Sequence, residues 1–133
     1  LLDKAFGLLG EYAVITDQVE IHPYLQAPRL VSHCRSKGLV LTAYQPLSKG
    51  VVNDDPLLKA IAKSHGVTAA AVALAFLMAE GHAVIPASSS IENLKNNFAS
   101  QDVNLTADEI SRIRTLDRSA RHINPAKSPR WDD

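Results

Sequence analysis

The stretch "HAVIPASSSIENL", residues 82–94, begins as an apolar, β-branched strand, passes through three consecutive serines and turns at once into a helix. Hydroxyls add nothing to an apolar core, and one helix cap needs only one of them. Two readings of this junction stand side by side. Ser89 caps the helix together with Glu92, as a capping box. Alternatively, Ser88, Ser89 and Ser90 converge with the free N–H groups of a helix beginning near Ile91 on an anion.

Working outward, the same strand-to-helix alternation recurs along the chain. Residues 1–9 place Leu1, Leu2, Ala5, Leu8 and Leu9 at helical spacing, and Gly10 supplies a stop. Residues 13–21, "AVITDQVEI", predict a strand that carries polar groups inside a largely buried element. The stretch "RLVSHCRSKG" predicts a short helix ending at Gly38, and "LVLTAY", residues 39–44, a second strand stopped by Pro46. A polar loop follows. Asp55 is placed as N-cap with Pro56 at the first helical position and Gly66 past the end. Thr68 caps a helix that is apolar nearly all round and therefore buried. "HAVIP" is the third strand, and Thr106 with Glu109 forms a capping box for the last helix. The segment from residue 119 to 133 reads as a surface tail, able to fold back onto a site.

Strands that alternate with helices and never with hairpin turns predict an α/β fold with parallel strands and crossover helices. A parallel sheet must be covered on both faces or closed. Three strands with about five helical segments achieve neither, and a complete (β/α)8 barrel takes about 250 residues. The chain has 133 and begins inside a helix without a cap, so it reads as a fragment: the last part of such a barrel.

Composition narrows the function. Fourteen Lys plus Arg balance fourteen Asp plus Glu, which leaves no global field for a nucleic acid or an anionic membrane. No apolar run approaches the roughly 20 residues of a membrane span. Cys34 is the single cysteine, so no internal disulfide is possible and a cytoplasmic location is expected.

In parallel barrels, sites collect at the C-terminal ends of the strands, and phosphate is often bound after the last two. The end of the second strand, "AYQPLSKG", repeats the pattern of the serine junction: Tyr44, then Ser48, Lys49 and Gly50. Tyr44 alone also fits an ordinary core aromatic. Two such junctions on successive strands point to a cofactor with a pyrophosphate, yet no G-x-G-x-x-G or Walker-type loop is present, so it is not held in a Rossmann manner. His22 fits a base, a metal ligand or a hydrogen-bonded structural residue. His22, His33 and Cys34 lack metal-site spacing, which favours the structural reading. His65 and His82 flank helices and are expected to be exposed. No G-x-S-x-G or H-E-x-x-H occurs, so the serines are poor nucleophiles.

At "DQVEIHPYLQ", "LVLTAYQPLSKG" and "VIPASSSIENLKNNF", in this order, the chain resembles the C-terminal half of an aldo-keto reductase, nearest to the microbial diketogluconate reductases. The resemblance implies that the three strands are the sixth, seventh and eighth of the barrel. It also implies an extended nicotinamide dinucleotide across the barrel mouth. Gln18 would hold the carboxamide and Tyr44 would stack on the nicotinamide. Gln45, Pro46, Leu47 and Ser48 would line the pyrophosphate path. Ser88, Ser89 and Ser90 would hold the adenosine ribose and its phosphate, with Asn93 beside them, and Asn96 and Asn97 would contact the adenine. The family often has Asn, Ser, Lys and Arg where this chain has Asp17, Gln45, Ala87 and Asn93. Without the two cations, NADPH is expected to be used with weak discrimination against NADH. The family's catalytic Asp, Tyr, Lys and His come from the first half of the barrel, and none is in this chain. The implied function is NAD(P)H-dependent reduction of aldehydes or ketones once the N-terminal half is supplied. A non-catalytic half-barrel that binds a nucleotide or a partner is the rival from another class.

Overall fold

Alternation within the strands decides which face of the sheet is covered. In the computed structural model, which describes residues 2–10 and 14–126, three strands form one sheet: β1 (Thr16–Glu20), β2 (Val40–Tyr44) and β3 (Ala83–Val84), in that order. Both pairings are parallel, with Gln18 opposite Thr42, Glu20 opposite Tyr44 and Thr42 opposite Ala83. Paired residues share a face and successive residues along a strand do not. Val19, Leu41 and Ala43 therefore point to one side, where they are buried under the helices. Thr16, Gln18, Val40, Thr42, Tyr44 and Ala83 point to the other. There Val40 is 50% exposed, and beyond β3 so is Ile85 at 46%. Thr16 donates its hydroxyl to the carbonyl of Val40 on this face.

The helices are α1 (Leu2–Leu9), α2 (Pro28–Ser36), α3 (Pro56–His65), α4 (Ala69–Ala79), α5 (Ile91–Ala99) and α6 (Ala107–Arg114). Asp55 caps α3 by accepting from the amides of Leu57 and Leu58, and Gly66 closes it at φ 66°, a left-handed conformation that glycine adopts without strain. Thr68 caps α4 through the Ala71 amide, and the Thr106–Glu109 capping box opens α6. Residues 69–77 of α4 are all buried, as an all-round apolar helix requires. It packs against α3, and with Phe76 and Leu77 forms one core with Leu58, Ile61 and Ile113.

Several boundaries differ from the sequence reading. The first strand is confined to five residues, and residue 13, where the sequence pattern starts it, lies outside the described residues. "HAVIP" yields a ladder of two residues, extended by one bond from the Ile85 amide to Ala43. His82 instead closes α4 through its amide to Leu77, and Pro86 has no N–H to continue the ladder. The loop after β2 contains a 3-10 segment, Ser48–Asp54. Leu1 and residues 127–133 of the expected tail likewise lie outside the described residues.

Candidate functional site

Because every pairing is parallel, the three strands end at one edge of the sheet. Glu20 and His22 finish the first, residues 44–48 the second and residues 85–90 the third. The structure thus brings both sequence-predicted junctions to the same edge. Gln18 is exposed on the open face, two residues before the end of β1, and Tyr44 is half-buried on that face at the end of β2. Burial, and then the charge of Glu20, raise the Tyr44 hydroxyl above its ordinary pKa.

The turn after β2 is strained. Gln45, Ser48 and Lys49 adopt φ of 53°, 50° and 54°, the left-handed region that side chains with a Cβ rarely occupy. Each such residue costs on the order of 1–3 kcal/mol and tends to be found at functional sites. Pro46 is buried and Leu47 half-buried. Ser48 is 1% exposed, and its hydroxyl is paired with Nε2 of His122 at 2.6 Å.

At the serine junction the cap is Ser90, not Ser89. Ser90 Oγ accepts from the Asn93 amide at 3.4 Å, because α5 starts at Ile91 and the third helical amide is therefore that of Asn93. Ser88 Oγ accepts from the Ser90 amide at 3.1 Å, while the side chain of Ser89 is exposed. One serine is therefore a cap, one shapes the turn and one faces solvent beside the helix N-terminus. Asn93 is exposed, and Asn96 and Asn97 are half-buried farther along α5.

His22 is a structural residue, fully buried, with Nε2 3.2 Å from Oε1 of Glu20. Burial keeps its ring below the ordinary histidine pKa despite the neighbouring carboxylate. With the proton on Nε2 facing Glu20, Nδ1 is a bare acceptor, and it has no partner among the described residues. Burial alone would raise the carboxyl of Glu20. The amides of His122 and Ile123, at 2.7 and 2.8 Å, together with His22 outweigh it and lower the pKa. Glu20, His22 and His122 bring ligand-type atoms within 4.8 Å of one another, with Glu20 bonded both to Nε2 of His22 and to the His122 amide.

Sequence reasoning missed this hub. The one available signal was Glu20 itself, an acid inside an apolar strand end, which must find donors when buried. His82 is buried rather than exposed, and burial lowers its pKa. His65 is half-buried against Glu109 at 2.9 Å. Both corrections arise where a helix end packs on a neighbouring element. The Cys34 thiol is buried and pushed up by that burial and by the charge of Asp17, so it is not a reactive thiolate. A separate cavity of about 430 Å³, lined by Arg35, Glu80, His82 and Arg114 among others, lies among α2, α4 and α6 on the covered side of the sheet.

The sequence profile described as the aldo/keto reductase family matches residues 2–118. The chain belongs to the aldo/keto reductase family. It is 36% identical, over 99% of its length, to methylglyoxal reductase DkgB of Escherichia coli O157:H7, of which it covers 50%. A solved structure described as a putative 2,5-diketo-D-gluconic acid reductase B superposes with a TM-score of 0.85 at 40% identity, over 89% of this chain and 43% of that one. A point mutant of Gox0644, solved in complex with NADPH, superposes with a TM-score of 0.88 at 26% identity, over 96% of this chain and 48% of that one. The chain thus spans about half the length of the curated relatives it matches. The parallel strands and helices are those of an α/β aldo/keto reductase barrel, covering part of it. Among the described residues no single helix is long and apolar enough to cross a membrane.

Proposed function

We propose that this chain is the coenzyme-binding half of an NADPH-dependent reductase of aldehydes or ketones. Its three strands are then the sixth, seventh and eighth of the barrel. One observation carries the reading: Gln18 and Tyr44 share the open face of the sheet, at the same edge to which the serine junction and the N-terminus of α5 belong. That edge offers an amide for a carboxamide, a ring for a nicotinamide and donors for phosphate, in the order an extended dinucleotide needs. The NADPH complex of Gox0644, which superposes on most of the chain, supports the choice of coenzyme.

The bound coenzyme would supply a hydride to the carbonyl carbon of the substrate. The residues of this chain bind and orient: Gln18 holds the carboxamide, Tyr44 fixes the plane of the ring, and residues 45–48 follow the pyrophosphate. Ser88, Ser89 and Ser90 receive the ribose and its phosphate, with Asn93 beside them, and Asn96 and Asn97 contact the adenine. The group that donates the proton to the developing alkoxide lies in the N-terminal half. That half would also cover the open sheet face and the apolar stripe of α5, where Ile91 and Phe98 are 73% and 74% exposed. The location proposed is the cytoplasm.

The test is binding of NADPH, followed by quenching of its fluorescence or of protein fluorescence, in the intact protein containing this chain, together with oxidation of NADPH by a small aldehyde. Saturable binding with turnover supports the reading. Binding without turnover would favour a non-catalytic nucleotide-binding protein.

A further inference from the structure

We propose that His122 is a positioning residue for the coenzyme turn: through the hydroxyl of Ser48 it holds residues 45–50 in the form that receives the pyrophosphate. This inference rests on the reading of the site as a coenzyme site. The turn carries three non-glycine residues in left-handed conformations, and such strain persists only where the surroundings over-determine it. Its internal bonds, Ser48 amide to Gln45 carbonyl and Gly50 amide to Leu47 carbonyl, both 2.8 Å, close the turn on itself. The side-chain bond that ties it to a distant part of the chain is Ser48 Oγ to His122 Nε2 at 2.6 Å.

His122 is held for this task. Its amide and that of Ile123 both donate to Glu20, a carboxylate 1% exposed at the end of β1, and its ring lies 5.2 Å from that of His22, centroid to centroid. Just before it, the amides of Arg118 and Ala120 donate to the carbonyl of Tyr24, and the Arg118 guanidinium sits 4.4 Å above the Tyr24 ring. Residues 118–123 therefore form a strap fastened at several points across the carboxyl edge. Glu20 is the cross-strand partner of Tyr44, so the strap joins the ring that would stack on the nicotinamide to the turn that would follow the pyrophosphate. The Ser48 hydroxyl, occupied and buried, acts by fixing the turn and not by touching phosphate.

A double-mutant cycle of NADPH release, by stopped-flow on the intact protein, tests this. His122→Ala and Ser48→Ala should each speed release by about tenfold, and the double variant no more than either single, because one shared bond is removed. His122→Gln, whose amide can still reach a hydroxyl, should stay near wild type. If His122→Ala does not fold, His122→Asn, polar but shorter, takes its place in the cycle. Single effects that add, or a release rate unchanged in the His122 variant, would overturn the proposal. Failure of the wild type to bind NADPH would instead overturn the reading of the site.

Discussion

At the scale of single residues, the decisive contrast is between Tyr44 and the serines. Tyr44 offers a ring on the open face, and burial raises the pKa of its hydroxyl above the ordinary value. Aromatic stacking is worth about 0.5–1.5 kcal/mol beyond area burial, so Tyr44→Ala should weaken NADPH binding severalfold to about tenfold, as read by titration of the intact protein. Tyr44→Phe should change little, and equal losses in both would make the hydroxyl the working part. The serine junction has no cation at Ala87 or Asn93. A charge-assisted hydrogen bond contributes about 1.5–3 kcal/mol, and each 1.4 kcal/mol is about tenfold. Ala87→Lys and Asn93→Arg should therefore each tighten NADPH by a decade or more and leave NADH nearly unchanged. If neither moves the ratio, the 2′-phosphate is held elsewhere. The bonds within the junction strengthen this prediction, since two of the three hydroxyls are already engaged, that of Ser90 with the Asn93 amide and that of Ser88 with the Ser90 amide.

At the scale of elements, what was legible in the sequence was whatever local chemistry dictates. The caps at Asp55, Thr68 and Thr106, the stop at Gly66 and the burial of α4 follow from bonds within four residues or from the absence of any polar face. The length of β3, the burial of His82 and the identity of the α5 cap depend on what packs nearby, and no local pattern encodes that. The hub of Glu20, His22 and His122 lay farthest out of reach, because Glu20 and the amide it binds are 102 residues apart in sequence. The hub makes stability depend on pH. Both Glu20 and His22 have lowered pKa values in the fold, against ordinary values of 4.5 and 6.5. Over the range between the folded and ordinary values the unfolded chain binds more protons, so stability rises with pH there. The contribution is fully present above the ordinary values and is lost on acidification, beginning below about pH 6.5 for His22 and below about pH 4.5 for Glu20. Melting temperatures of the intact protein, taken from about pH 8 down to pH 4, should fall in that order, and His22→Gln should shrink the first step, leaving the part due to His82, whose pKa burial also lowers. A melting temperature that climbs on acidification would contradict the buried, neutral histidine.

At the scale of the whole molecule, three parallel strands leave open edges and one uncovered face. The family supplied what composition could not: nothing in charge or spacing named a nicotinamide, whereas the three motifs did. An open parallel sheet with exposed apolar helix faces is poorly stable and prone to associate. The 133-residue chain alone is therefore expected to melt without a sharp cooperative transition at low concentration and to reduce no aldehyde. Turnover well above background by the purified chain would place the proton donor among its own residues. The central claim concerns where the coenzyme lies, and a residue-resolved titration addresses it most directly. NADPH added to the isotope-labelled intact protein should shift the amide resonances of Gln18, Tyr44, Gln45, Leu47, Ser48, Ser88, Ser89, Ser90 and Asn97, and leave those around Arg35 and His82 unmoved. Shifts concentrated on the cavity among α2, α4 and α6, with the carboxyl edge of the sheet silent, would contradict it.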